Sequence, residues 1–177
     1  MVTSLVQVTG EVHGVIAEPT DFDLFYRSEY DRLVRVAYAL CGRLDVAEEL
    51  TQDAMMKVYT RWSRVRSFDA PGAFARRVVV NNAMSALRRR KAETKALLRF
   101  RGSTSDQATV DPDVDDFWRL VRTLPARQAQ VVALYYGDEQ RTAEIAVALE
   151  IAEGTVRATL AQARAALRTQ VMEDNKV

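Results

Sequence analysis

Cysteine and histidine are nearly missing from this chain: Cys41 and His13 are the single instance of each. A disulfide framework and almost any Cys/His metal centre are thereby excluded, because both need several ligands at set spacings. Glycine and proline are scarce as well, at seven and four in 177 residues, which favours long helices over turn-rich β structure. No apolar run approaches the ~20 residues that a membrane-spanning helix needs. The first residues lack a basic stretch ahead of an apolar core, so no secretory signal is expected and the expected location is cytoplasmic. His13 has no companions and reads as a solvent-exposed tail residue. Cys41 has no histidine nearby in sequence and reads as a small buried hydrophobe rather than a nucleophile.

What is present is an ordinary soluble composition, 48% apolar and 28% charged, with a formal net charge of +1. The charge is segregated. Residues 72–101 hold nine Lys or Arg (Arg76, Arg77, Arg88, Arg89, Arg90, Lys91, Lys95, Arg99 and Arg101) against one acid, Glu93. At about 100° per residue on a helix, Arg77, Asn81, Ser85 and Arg88 share a stripe headed by Phe74. Val79, Val80, Ala83, Ala86 and Leu87 form the opposite, core-facing side. Such a stripe offers cations for phosphates, an amide for base edges and a ring for stacking on an unpaired base. The plainer reading is a solvated basic helix.

Along the chain, residues 1–20 are Val/Thr-rich without helical period and read as a tail or a short strand. A helix follows, with Thr20 or Asp21 as N-cap; Phe22, Phe25, Tyr26, Leu33, Val36, Ala37 and Leu40 form its apolar face and Gly42 stops it. Asp45 and Glu48 suggest a capping box for a second helix, ending near Trp62 with Ala47, Leu50, Ala54, Val58 and Trp62 inward. Its outward face collects Glu48, Glu49, Gln52, Asp53, Met56 and Tyr59, which suits either solvent or a basic protein partner. A loop over 63–72, containing Phe68, leads into the basic helix.

Residues 102–116 contain five Asp and no basic residue, a composition expected to stay flexible. Beyond them come a short helix, Phe117–Leu124, and a second opened by Pro125 at N1 and closed at Gly137. Then Thr142–Leu149 and Glu153–Leu167 have helix-turn-helix spacing. Val156, Leu160, Ala163 and Leu167 face inward; Arg157, Arg164 and Arg168 line one flank; Thr155, Ala158, Thr159 and Gln162 project outward. The expected architecture is all-α, two small helical domains at 21–101 and 117–171 joined by a flexible acidic linker.

Four segments, Ala47–Trp62, Ala73–Lys91, Leu124–Tyr136 and Ala143–Arg168, occur in the same order in extracytoplasmic-function (ECF) sigma factors. The chain resembles that family from about Phe22 to Arg168, most nearly its small actinobacterial-type branch. The resemblance implies a sigma region 2 bundle and a sigma region 4 helix-turn-helix. It also implies partners: core RNA polymerase (its β and β′ subunits), promoter DNA and, as a regulator, an anti-sigma factor. Glu48, Glu49, Gln52, Asp53, Met56 and Tyr59 would contact the polymerase. Phe68, Phe74, Arg77, Asn81, Ser85, Arg88 and Arg89 would melt and read the minus-ten element, and Thr155, Arg157, Thr159, Gln162 and Arg164 the minus-thirty-five element. No catalytic residue, cofactor or metal is implied, since bond formation belongs to the polymerase.

Two departures bear on the second domain. Glu150 stands where the family often has a glycine at positive φ, and Ala152 where a hydroxyl N-cap worth ~1 kcal/mol is usual. Arg157-Ala158-Thr159 replaces a frequent Lys-Ser-Arg, one cation fewer. Two other readings remain at this point: a free-standing helix-turn-helix regulator, and an adaptor whose basic helix grips an acidic partner.

Overall fold

Thr20 opens the first helix by closing a capping box. Its hydroxyl accepts the Asp23 N–H at 3.2 Å, and Asp23 accepts the Thr20 N–H at 2.8 Å. These bonds hold the Asp23 carboxyl below its ordinary range. The computed structural model describes residues 20–98 and 112–174; His13, the tail and the acidic residues 102–111 lie outside them. Helix α1 (Asp21–Cys41) stops at Gly42, whose φ of 75° is left-handed and whose N–H returns to the Tyr38 carbonyl. A Cβ at Gly42 would also fall 2.7 Å from the guanidinium carbon of Arg122. Cys41 is buried, its thiol donates to the Arg43 carbonyl at 3.3 Å, and burial pushes its pKa up.

Helix α2 (Leu44–Tyr59) starts without the capping box suggested by Asp45 and Glu48: Arg43 is its N-cap and makes no side-chain cap. The Asp45 carboxylate is taken instead by the Arg43 guanidinium, at 3.1 and 2.5 Å. A bidentate, charge-assisted pair outcompetes a single backbone N–H. The helix also ends before Trp62, which opens a separate single turn, α3 (Trp62–Val65). That break carries the indole onto Phe25 and Phe22, at 4.9 and 5.4 Å between centroids. The loop after it is therefore shorter than expected, and α4 (Pro71–Leu98) begins at a proline, which suits N1.

Helices α1, α2 and α4 pack together around Leu33, Val36, Leu40, Ala54, Val58, Val79 and Val80, all fully buried. Each large apolar side chain enclosed there contributes roughly 1.5–3 kcal/mol relative to exposure. Ala86 and Leu87 are partly buried at the rim of this core.

The second half is α5 (Pro112–Val121), α6 (Ala126–Val132), a π-helical turn (Ala133–Gly137), α7 (Thr142–Leu149) and α8 (Glu153–Asp174). Helix α5 begins inside the stretch expected to be flexible, because Pro112 suits N1 and acids in a first turn favour the helix dipole. Pro125 is the N-cap of α6 rather than its first residue. Helix α8 packs on α6 and α7 through Val156, Leu160, Ala163 and Leu167. The halves also touch each other: α1 meets the π turn and α5, and α4 meets α7.

Candidate polymerase and nucleic-acid interfaces

On α2, Glu48, Glu49, Gln52 and Asp53 are exposed, and Met56 and Tyr59 leave 61% and 57% of their surface in water. Met and Tyr are among the side chains enriched where proteins bind one another. The Tyr59 ring leans on Phe22, 4.9 Å between centroids, so α1 fixes its direction. On the flank toward α4, Lys57 Nζ donates to Asn82 at 2.9 Å, and Asn82 donates to the Leu50 carbonyl at 3.3 Å. Asn82 thus ties two helices together while its neighbour Asn81, rotated by about 100°, is exposed.

The α4 stripe is assembled as its spacing suggests except at Arg77. Phe68 is 37% exposed and stands edge-on to the half-buried Phe74, 5.7 Å away at 73°. Arg88 and Arg89 are exposed, and Arg88 donates to Ser85 Oγ at 3.1 Å. Arg77, however, is engaged by α7: its Nε donates to the Ala148 carbonyl at 3.1 Å, and its terminal nitrogens reach the Val147 carbonyl and the Glu150 carboxylate.

Arg76, one of the nine cations, does not belong to a basic surface at all. It is 5% exposed and pairs with Glu29 at 2.9 Å and with Asp138, whose side chain is wholly buried. Arg32 completes this cluster from α1, 2.8 Å from Asp138. Gly72 leaves space for it, since a Cβ there would overlap the Arg76 guanidinium and stand 3.0 Å from the Glu29 carboxylate. Buried charges persist when they are paired in this way.

On α8, Thr155, Ala158 and Gln162 are exposed as expected, and so is Arg157, 3.8 Å from Glu153. Thr159 is not; at 8% exposure it faces the core. It follows Val156 by three residues and precedes Ala163 by four, which puts it on the apolar stripe. Arg164 is spoken for within its own half: its Nε donates to the Tyr136 hydroxyl at 2.9 Å, and its guanidinium lies 5.2 and 5.7 Å from the Tyr135 and Tyr136 ring centroids. That hydrogen bond raises its pKa further. Glu150 takes the left-handed conformation expected of a glycine, with φ 54° and ψ 48°. Ala152 contributes its carbonyl to the Thr155 and Val156 N–H groups, at 2.9 and 3.2 Å. In place of a capping hydroxyl there, Thr142 donates to Glu153 at 2.7 Å and ties the starts of α7 and α8 together.

Residues 25–93 match the family model Sigma-70 region 2, and residues 115–167 match Sigma-70, region 4. The chain is 30% identical over 158 residues to the RNA polymerase sigma-E factor of Streptomyces coelicolor, covering 89% of each chain. It is also 30% identical to the ECF RNA polymerase sigma factor SigM of Mycobacterium tuberculosis, over 82% of this chain and 74% of that one. The chain belongs to the ECF sigma factors. The sigma factor therefore binds core RNA polymerase and directs transcription initiation at promoters, and the free-standing regulator is not favoured. Its fold is shared with the sigma factor RpoE of Bartonella quintana, solved in complex with the anti-sigma factor NepR. That likeness has a TM-score of 0.69 at 21% identity and covers 86% of this chain and 97% of the other.

Region 2 of the sigma factor corresponds to α1–α4, and region 4 to α5–α8. Among the described residues no group of three or more His, Cys, Asp or Glu could hold a metal ion, and no helix is long and apolar enough to cross a membrane. Sequence reasoning missed Arg32, Arg76 and Asp138. The bonds that join them to Asp138 span 106 and 62 residues of chain, and no local pattern announces such a pairing.

Proposed function

We propose a division of labour among three faces of the sigma factor. The acidic Met56/Tyr59 face of α2 docks on the β and β′ subunits of core polymerase. The α4 stripe, headed by Phe74 with Phe68 of the preceding loop edge-on to it, holds the unpaired minus-ten strand. The exposed side of α8, at Thr155, Arg157 and Gln162, reads the minus-thirty-five duplex, while Arg164 stands beside it braced by tyrosines. The protein catalyses no reaction of its own and works in the cytoplasm, where the polymerase is. An anti-sigma factor, the class of partner named for the Bartonella neighbour, is its proposed regulator.

The observation that carries this reading is the α4 stripe. It sets an exposed amide, Asn81, between an aromatic pair and two exposed arginines, Arg88 and Arg89. Stacking holds a base of any sequence, an amide distinguishes base edges, and arginines hold phosphates. The test is heparin-resistant complex formation by holoenzyme on a fully duplex promoter and on one premelted across the minus-ten element. Asn81→Ala and Phe74→Ala should remain defective by about tenfold on the premelted template, since a lost base contact costs ~1–3 kcal/mol. Wild-type behaviour of both variants on both templates would refute the strand-reading role.

A further inference from the structure

The seam between the two halves gathers Arg32, Arg76, Arg77, Asp138 and Glu150, and of these Arg77 alone belongs to one of the three faces. Arg77, on the α4 stripe, directs its guanidinium at the C-terminus of α7. The last carbonyls of a helix lack intrahelical partners and carry the negative end of its dipole. Those of Val147 and Ala148, together with the Glu150 carboxylate, present to Arg77 an anionic cup of the kind a nucleic-acid phosphate would otherwise supply. Glu150 sits at φ 54°, where a glycine would be unstrained but would bring no carboxylate. A second anchor lies alongside: Asp138 of region 4 is buried between Arg32 and Arg76 of region 2, and Arg35 donates to the Gly137 carbonyl at 3.2 Å.

We propose that the free sigma factor is self-masked: region 4 seats the Glu150 turn on Arg77 and Asp138 between Arg32 and Arg76, withholding part of the minus-ten face until the halves separate. The proposal rests on the minus-ten reading of α4 given above. Asn81, one turn beyond Arg77, is exposed in this arrangement, so the mask weakens nucleic-acid binding rather than abolishing it. Separation exchanges the α7 carbonyls and Glu150 for phosphates at Arg77. Asp138 then loses both of its arginines to water, and so favours re-closure.

The test uses the full chain without polymerase. The probe is a fluorescein-labelled single-stranded DNA of randomised sequence, about 12 nucleotides long, matched to typical single-strand site sizes. Affinity is read by anisotropy and domain separation by small-angle X-ray scattering. A double variant, Asp138→Asn with Glu150→Gly, should show a larger radius of gyration and bind the probe more tightly. If the wild type is open about one-fifth of the time, the gain is about fivefold. Adding Arg77→Ala should cancel that gain. Should the glycine variant lose its helical circular dichroism, Asp138→Asn with Glu150→Gln takes its place. A double variant that stays as small as wild type overturns the proposal. One that expands without gaining affinity, while Arg77→Ala still impairs holoenzyme on the premelted promoter, overturns the mask and leaves the minus-ten reading standing. If holoenzyme is indifferent to both Arg77→Ala and Asn81→Ala, the minus-ten reading fails and takes the mask with it.

Discussion

Arg77 on α4 and Arg164 on α8 both belong to helices proposed above to face DNA, and both have their guanidinium engaged within the protein. Their partners differ in one respect. Arg164 is held by Tyr135 and Tyr136 of its own half, whereas Arg77 is held by Val147, Ala148 and Glu150 of the other half. The first arrangement survives any movement of the two halves and sets the direction of a cation beside the surface proposed to read the duplex. The second lasts as long as the halves stay together. Two arginines on two helices can therefore be a fixed brace and a releasable one.

The largest effect that would sharpen this contrast lies on the region 2 half. Reversing charge at Glu49 and Asp53 together should weaken core binding by roughly 30-fold or more, since desolvated interface charges are worth ~2–5 kcal/mol. Reversing Arg157 on α8 should leave core binding alone. Co-purification with core polymerase measures both, and a wild-type yield from the α2 double variant would remove that face from the interface.

Next in size, Arg88→Ala and Arg89→Ala should weaken holoenzyme binding on all sequences and flatten its salt dependence by about one unit for each lost phosphate contact. Lowering the salt should rescue them, unlike Asn81→Ala. A salt titration of promoter affinity decides it; unchanged slopes would leave Arg88 and Arg89 as mere solvated charges.

Smaller effects separate Arg164 from Thr159. Arg164→Ala should lower thermal stability by about 0.5–1 kcal/mol, the value of an exposed cation–π contact, and reduce minus-thirty-five binding as well. Thr159→Val should leave duplex affinity within about twofold, as its side chain is turned to the core. Thr155→Ala should lower that affinity. Equal losses at Thr155 and Thr159 would contradict the rotation of α8 described above.

The smallest effect concerns the start of α1. The Thr20 hydroxyl and N–H hold the Asp23 carboxyl below its ordinary 3.8. A lowered carboxylate pKa gives stability that is fully present above 3.8 and fades as pH falls through the folded value. Protection of the amides in the first turn of α1, taken relative to their intrinsic exchange rates, should fall over that acidic window and stay constant between pH 5 and 8, and Asp23→Asn should make the acid response disappear.

The elements were largely legible because each rests on local rules. Thr20 and Gly42 announce α1, the spacing of Val156, Leu160, Ala163 and Leu167 sets the inner face of α8, and Glu150 adopts the left-handed turn that its position required. The misreadings came where two local rules competed or where partners were distant. Asp45 had a capping role available and took Arg43 instead. Thr159 looked polar and outward, yet shared the apolar stripe. Arg76 counted as one more surface cation until Glu29 and Asp138 enclosed it.

Although it left the short α3, the bounds of α5 and the π turn undetermined, the sequence by itself determined the long helices, their apolar faces, the segregation of basic charge onto α4, and a motif order specific enough to assign the family. All of these follow from periodicity and caps, which act over a few residues. The tertiary structure decided which charges meet solvent. Asp138 finds Arg32 and Arg76, and Glu150 finds Arg77, across 62 to 106 residues of chain. Ion pairing between different helices has no period and no preferred separation along the chain, so only the packing of α4 against α7 and α1 against the π turn could select those partners.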